Sequence, residues 1–180
     1  QPHAGVRYHE LRLGRSLFAT LRWKKMLGSL AVAEFCKERY TFKRVGFLHP
    51  SITVRREGED EDLAVMRFDG SFVKNAVLGL TGVLEFRTRE RFAFDSLGRL
   101  KARWAFSDEN GNLMVTVDRK IKGKPSGAVT VSREFIDAPH LNILVSLAWY
   151  AVIMDYEERE ALIGTRLGAT SDNSGVRNRP

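Results

Sequence analysis

The sequence predicts a mainly β protein, α+β by content: a closed antiparallel β-barrel of about 11–12 strands around a buried hydrophobic C-terminal helix. Two observations lead there, and a third follows from them. Residues 141–154, LNILVSLAWYAVIM, are almost entirely apolar, and a helix that is hydrophobic all round needs enclosure on every side. Upstream, strand-like runs recur at intervals of about ten residues with turn residues between them, the spacing of antiparallel sandwiches and barrels. A sheet curled on itself then supplies the enclosure that the helix requires.

Taken in order, residues 1–16 read as an N-terminal arm or a first short strand, since Leu11, Leu13 and Leu17 give only a weak apolar pattern. Strands are expected at 17–23, 29–36, 39–45, 51–56, 63–68, 71–78, 82–88, 91–95, 99–106, 112–118 and 127–133. Alternation is clear in Tyr40 and Phe42, in Phe92 and Phe94, and from Leu100 to Trp104. Period 2 sends one set of side chains inward and the charged set to water. Asp69-Gly70, Asp95 to Gly98 and Asp108 to Gly111 carry tight-turn chemistry, and Gly123 to Gly127 a longer hairpin loop. The core helix is expected over about 139–160, with Asp137 as N-cap, Pro139 in the first turn and Gly164 as a stop. One domain therefore covers 17–163, and residues 164–180, which lack periodicity, read as a disordered tail.

Fourteen helical residues rise about 21 Å, short of a hydrocarbon core of about 30 Å. Asp155, Glu157 and Glu158 close the run with charge, so a core helix is expected and no transmembrane span. An apolar content of 43% excludes wholesale disorder. A single cysteine, Cys36, allows neither an internal disulfide nor a cysteine-built metal site. With no signal-type apolar segment near the N-terminus, the expected location is cytoplasmic, peripheral to a membrane at most.

The pattern Phe92-Ala93-Phe94-Asp95-x-x-Gly98, then Trp104-Ala105-Phe106-Ser107-Asp108-x-x-Gly111-x-Leu113, then Asp118-Arg119-Lys120 resembles the tubby C-terminal-like superfamily of phospholipid scramblases, LURP-one-related proteins and tubby domains. The resemblance covers roughly residues 18–158. It implies strand–turn–strand units ending in a basic strand, and a hydrophobic helix threaded through a closed barrel, with Leu141–Asp155 where that helix would sit. It also implies a non-enzymatic binding domain of the phospholipid-binding kind.

The net charge of +7 is uneven. Residues 1–56 carry +9, the acidic run 57–62 carries −5, residues 63–135 carry +5, residues 136–163 carry −4 and the remainder +2. Two cationic groups stand out as candidate anion-binding sites: Arg22, Lys24 and Lys25 beside Trp23, and Arg119, Lys120, Lys122 and Lys124. Such groups suit phosphates on lipid headgroups or nucleic-acid backbones. They equally suit a basic strand edge that discourages aggregation.

Other chemistries find little support. Cys36 ends an apolar run, as a buried thiol does, and no Gly-x-Ser-x-Gly elbow exists. His3, His9, His49 and His140 lie in unrelated segments without ligand spacing. The run Glu57–Asp62 lacks the length and the distal Glu of a calcium loop. Glu85, Glu90 and Asp95 alternate with arginines that would keep them ionised. Gly79 to Gly82 precedes a strand, so no helix N-terminus backs it as a phosphate cradle. No cofactor and no catalytic residue are expected. The expected function is a non-enzymatic tubby-like binding domain that engages an anionic phospholipid surface or a protein partner through basic strand edges. The alternatives are a small β-barrel ligand carrier or enzyme, or a nucleic-acid-binding module. A filled interior speaks against the first, and the absence of aromatics around Lys120–Lys124 against the second.

Overall fold

The structure, a computed structural model, describes residues 7–169 apart from 14, 26–27, 36, 47, 71–79, 98–101 and 121–125. The expected strand at 71–78, Cys36, His3, Lys122, Lys124 and residues 170–180 lie outside the described residues.

Among the described residues eleven strands follow one another: β1 (Tyr8–Leu13), β2 (Ser16–Trp23), β3 (Ala31–Phe35), β4 (Glu38–Val45), β5 (Ser51–Arg56), β6 (Ala64–Phe68), β7 (Thr81–Phe86), β8 (Arg91–Ser96), β9 (Arg103–Ser107), β10 (Leu113–Arg119) and β11 (Gly127–Val131). Every neighbour in sequence is an antiparallel neighbour in one sheet. Among the described residues one α-helix, α1 (Leu141–Ala169), completes the fold after a short 3-10 turn at Arg133–Phe135.

Alternation decides which way each strand faces. Ala19, Leu21 and Trp23 of β2, Tyr40 and Phe42 of β4, Ile52 and Val54 of β5 and Phe92 and Phe94 of β8 are buried at every second position. They form one apolar cluster with Leu144, Leu147, Trp149, Tyr150 and Val152 of α1. The helix is thus buried on all its sides from Ile143 to Ile153. Tyr150 stacks on Trp23 at 5.6 Å and donates its hydroxyl to the Ser29 carbonyl at 2.5 Å. That bond satisfies the one polar atom a buried tyrosine brings with it.

The closed barrel is not what forms. The sheet ends at β1 on one side and at β11 on the other, and these two strands are not hydrogen-bonded to each other. Strand parity sets the geometry of the gap. In an up-and-down meander of eleven strands the first and the last run in the same direction, so the antiparallel ladder used everywhere else cannot join them. The helix is wrapped by an open sheet whose two edges face each other across a cleft.

The first segment takes one of its two expected forms, and the helix bounds shift. The first segment is a strand, β1, paired with β2 along its length. The helix starts at Leu141, not at a cap on Asp137: His140 takes a left-handed φ of 64° and its carbonyl accepts the first helical bonds, from Ile143 and Leu144. At the other end α1 runs past Gly164 to Ala169. An isolated glycine costs a helix only about 1 kcal/mol relative to alanine, too little to stop it. No helix among the described residues is long and apolar enough to cross a membrane.

Candidate functional site

Strand direction gathers the basic residues. Because β2 and β10 are both even-numbered in an all-antiparallel meander, their C-terminal ends lie at the same end of the sheet. Arg22, Lys24 and Lys25 are exposed there at the end of β2, and Lys120 is exposed at the end of β10 beside a half-buried Arg119. The two expected clusters are therefore brought to one end, as far as they are described. Lys24 lies 3.6 Å from Glu57. Among the described residues Arg22, Lys25 and Lys120 have no ion-pair partner.

The same end holds two arginines outside the expected clusters, Arg7 and Arg44, and turns the expected Arg119 inward with them. On β4 the inward register Tyr40, Phe42 continues to Arg44, which is cross-strand partner to the buried Ile52. On β10 the inward register Val115, Val117 continues to Arg119. Arg7 precedes His9, which packs edge-on against Trp23 and Trp149. Each of the three takes the next inward place after apolar or aromatic side chains, and each sits at the end shared by the C-termini of β2, β4 and β10. A signal for them existed: extending the period-2 pattern by one step lands on an arginine in each case.

The middle turns of α1, from Asp155 to Glu160, meet these arginines. Arg7 pairs with Glu157 and lies over the Trp23 ring at 4.7 Å. Arg119 stacks over the Tyr156 ring at 3.7 Å, a cation–π contact. Asp155, 2% exposed, accepts from Arg159 Nε at 2.9 Å, an i,i+4 pair. Burial pushes the Asp155 carboxyl above its ordinary value, while the Arg159, Arg119 and Arg44 guanidinia pull it down. Burial also lowers Arg44 and Arg119, against the pull of Asp155 and of the Tyr150 and Tyr156 phenols. Desolvation penalises the charged form of both kinds of group, and opposite charges restore it. This end of the molecule thus sets the guanidinia of Arg7, Arg44, Arg119 and Arg159 against the carboxylates Asp155, Glu157 and Glu160, with exposed Arg22, Lys24, Lys25 and Lys120 outside them.

The remaining candidates are otherwise engaged. Of the acidic loop, Glu57 lies 2.7 Å from Arg39, Asp62 lies 2.6 Å from Arg55, and Glu61 pairs with Arg87. Glu85 lies between Arg67 at 3.3 Å and Arg91 at 3.7 Å. His140 stacks on Phe86 with ring centres 3.9 Å apart, its Nε2 lies 3.6 Å from Glu90, and His49 is exposed. Among the described residues no three His, Cys, Asp or Glu side chains gather as a metal site would require. Comparisons with known protein families, with curated proteins and with solved structures returned no match.

Proposed function

We propose that this chain is a non-enzymatic binding domain that engages an anionic phospholipid surface through the basic end of its sheet. The observation carrying this reading is the convergence of exposed Arg22, Lys25 and Lys120 with inward-facing Arg7, Arg44 and Arg119 at one end. Exposed cations near an anionic membrane are worth about 1 kcal/mol each and lose that attraction within a Debye length. The half-buried guanidinia, held by Glu157, Tyr156 and Asp155, add to the positive potential behind these cations. The tubby-like resemblance belongs to the same reading, since it implies a binding domain and not a catalyst.

Sedimentation with phosphatidylserine-containing and purely phosphatidylcholine vesicles tests it. Binding is expected only to the anionic vesicles and to fall steeply with added salt. Replacing Arg22, Lys25 and Lys120 together by Ala is expected to weaken it about 100-fold, since three cations at about 1 kcal/mol each come to about 3 kcal/mol. Equal pelleting with both vesicle types, or pelleting with neither, removes the lipid reading. A triple variant that binds as well as the parent removes this end as the site.

A further inference from the structure

We infer that the cleft between β1 and β11 is an acceptor site for an extended peptide strand donated by a partner protein. The cleft has a volume of about 600 Å³ and is floored by Leu141, Val145 and Trp149 of α1, with Leu11 on one wall and Val129 and Val131 on the other. That size lies within the range of real binding cavities.

The walls decide the chemistry of the occupant. Ser126 and Ser132, flanking β11, are bonded to β10 through Lys120 and Met114. Antiparallel pairing alternates, so Gly127, Val129 and Val131 between them turn their N–H and C=O groups away from β10, into the cleft. By the same rule the bond from Trp23 to Arg7 turns the backbone of Tyr8 and Glu10 away from β2. Among the described residues both walls are therefore unpaired strand edges, and they run in the same direction. A strand laid between them in the opposite sense is antiparallel to both. It satisfies donors and acceptors on either side, as in β-strand addition to a sheet edge.

Charge narrows the choice further. Arg12 and Glu10 neutralise each other at 2.6 Å, and β11 carries no charge at all. A strand of period-2 pattern with an uncharged apolar inner row fits; the basic end of the sheet selects for something else entirely. An acyl chain would match the apolar floor yet leave both rows of backbone groups unmet. The chain's own outlying segments, QPHAGV at residues 1–6 and TSDNSGVRNRP at 170–180, contain no alternating apolar row. Trp149 Nε1, on a residue that lines the cleft, has no acceptor among the described residues.

The test uses the full chain with a fluorescent acetylated peptide of about nine alternating Thr and Val residues. Three comparisons accompany it: the same peptide N-methylated at alternate amides, a fluorescent fatty acid, and the variant Val129→Pro, which removes a cleft-facing N–H without touching the β10 ladder. Saturable peptide binding is expected, weakened at least tenfold by N-methylation and by Val129→Pro, with no competition from the fatty acid. Should Val129→Pro fail to fold, the N-methylated peptide on the parent chain still decides. Equal binding of the N-methylated peptide, displacement by the fatty acid, or no peptide binding overturns the proposal. So does a stable dimer in sedimentation that blocks the peptide, since the second copy would then be the occupant.

Discussion

The two halves of α1 are solvated by different materials. From Ile143 to Ile153 the helix lies among Trp23, Phe42, Phe94 and Phe106 with nearly every side chain buried. From Asp155 to Arg159, one turn on, the same rod is surrounded by Arg7, Arg44 and Arg119. The first half is held by apolar area removed from water, which tolerates no charge. The second is held by charges that the sheet itself points inward, at a cost in desolvation that opposite charges offset only in part. One half fixes the fold, and the other leaves cationic chemistry at an open end.

The largest effect expected from breaking this contrast is Leu147→Asp, which puts an uncompensated carboxylate into the apolar half. Its cost of several kcal/mol is a large part of the stability of a domain this size, so the variant should be insoluble or molten. A cooperative urea transition would contradict the enclosed helix. Tyr150→Phe, at the boundary, keeps the ring stacked on Trp23 and leaves the Ser29 carbonyl without its donor; a loss of about 1–2 kcal/mol is expected by denaturant titration.

Asp155→Asn should cost less than Leu147→Asp, because the amide keeps the shape and an acceptor for the partly exposed Arg159, but it still destabilises by removing the counter-charge that Arg159, Arg119 and Arg44 face. The pH dependence sharpens this. A carboxyl whose folded pKa is raised favours the folded state below its unfolded value and loses that contribution as pH rises through the folded pKa. The stability of the parent relative to Asp155→Asn should therefore increase as pH falls from 7 towards 4. The variant should also bind anionic vesicles more tightly than the parent. The smallest effect concerns His9, whose pKa is lowered by burial, with Arg7 adding to the shift and Glu157 opposing it. Its neutral form is the one that packs, so its contribution is full above the unfolded value of about 6.5 and declines as pH falls below it. His9→Phe should flatten the parent's stability profile between pH 7 and 5.5, and an unchanged profile would exclude His9 as its source.

Much of the architecture was legible because hydrophobic periodicity reports burial directly. The alternation at Tyr40 and Phe42 or at Phe92 and Phe94 names an inner face, and Leu141–Met154, apolar all round, announces a helix covered on all sides. Closure was not legible, since periodicity within a strand says nothing about whether the first and last strands meet, and the first is a weak segment. Residues 8–13 carry only Leu11 and Leu13 as a signal, yet their pairing with β2 sets the direction of one edge. The helix end was misplaced because Gly164 was given more weight than one glycine carries. Of the site, the surface cations Arg22, Lys24, Lys25 and Lys120 were visible as clusters. Arg44 and Arg119 face inward because of register: the parity of Arg119 with Val115 and Val117 places it inside, although its neighbours in sequence read as surface charge.

The position of α1 after all eleven strands has a consequence for how the protein is made. Each hairpin is local and can form as soon as its second strand leaves the ribosome, but the inner faces of Trp23, Phe42 and Phe94 have no partner until residues 141–153 follow. Vectorial synthesis at about 5–20 residues per second leaves that greasy concave surface bare for several seconds. The nascent chain should therefore need a holding chaperone until the plug arrives, and a stop codon anywhere before Leu141 should yield aggregate rather than a smaller domain.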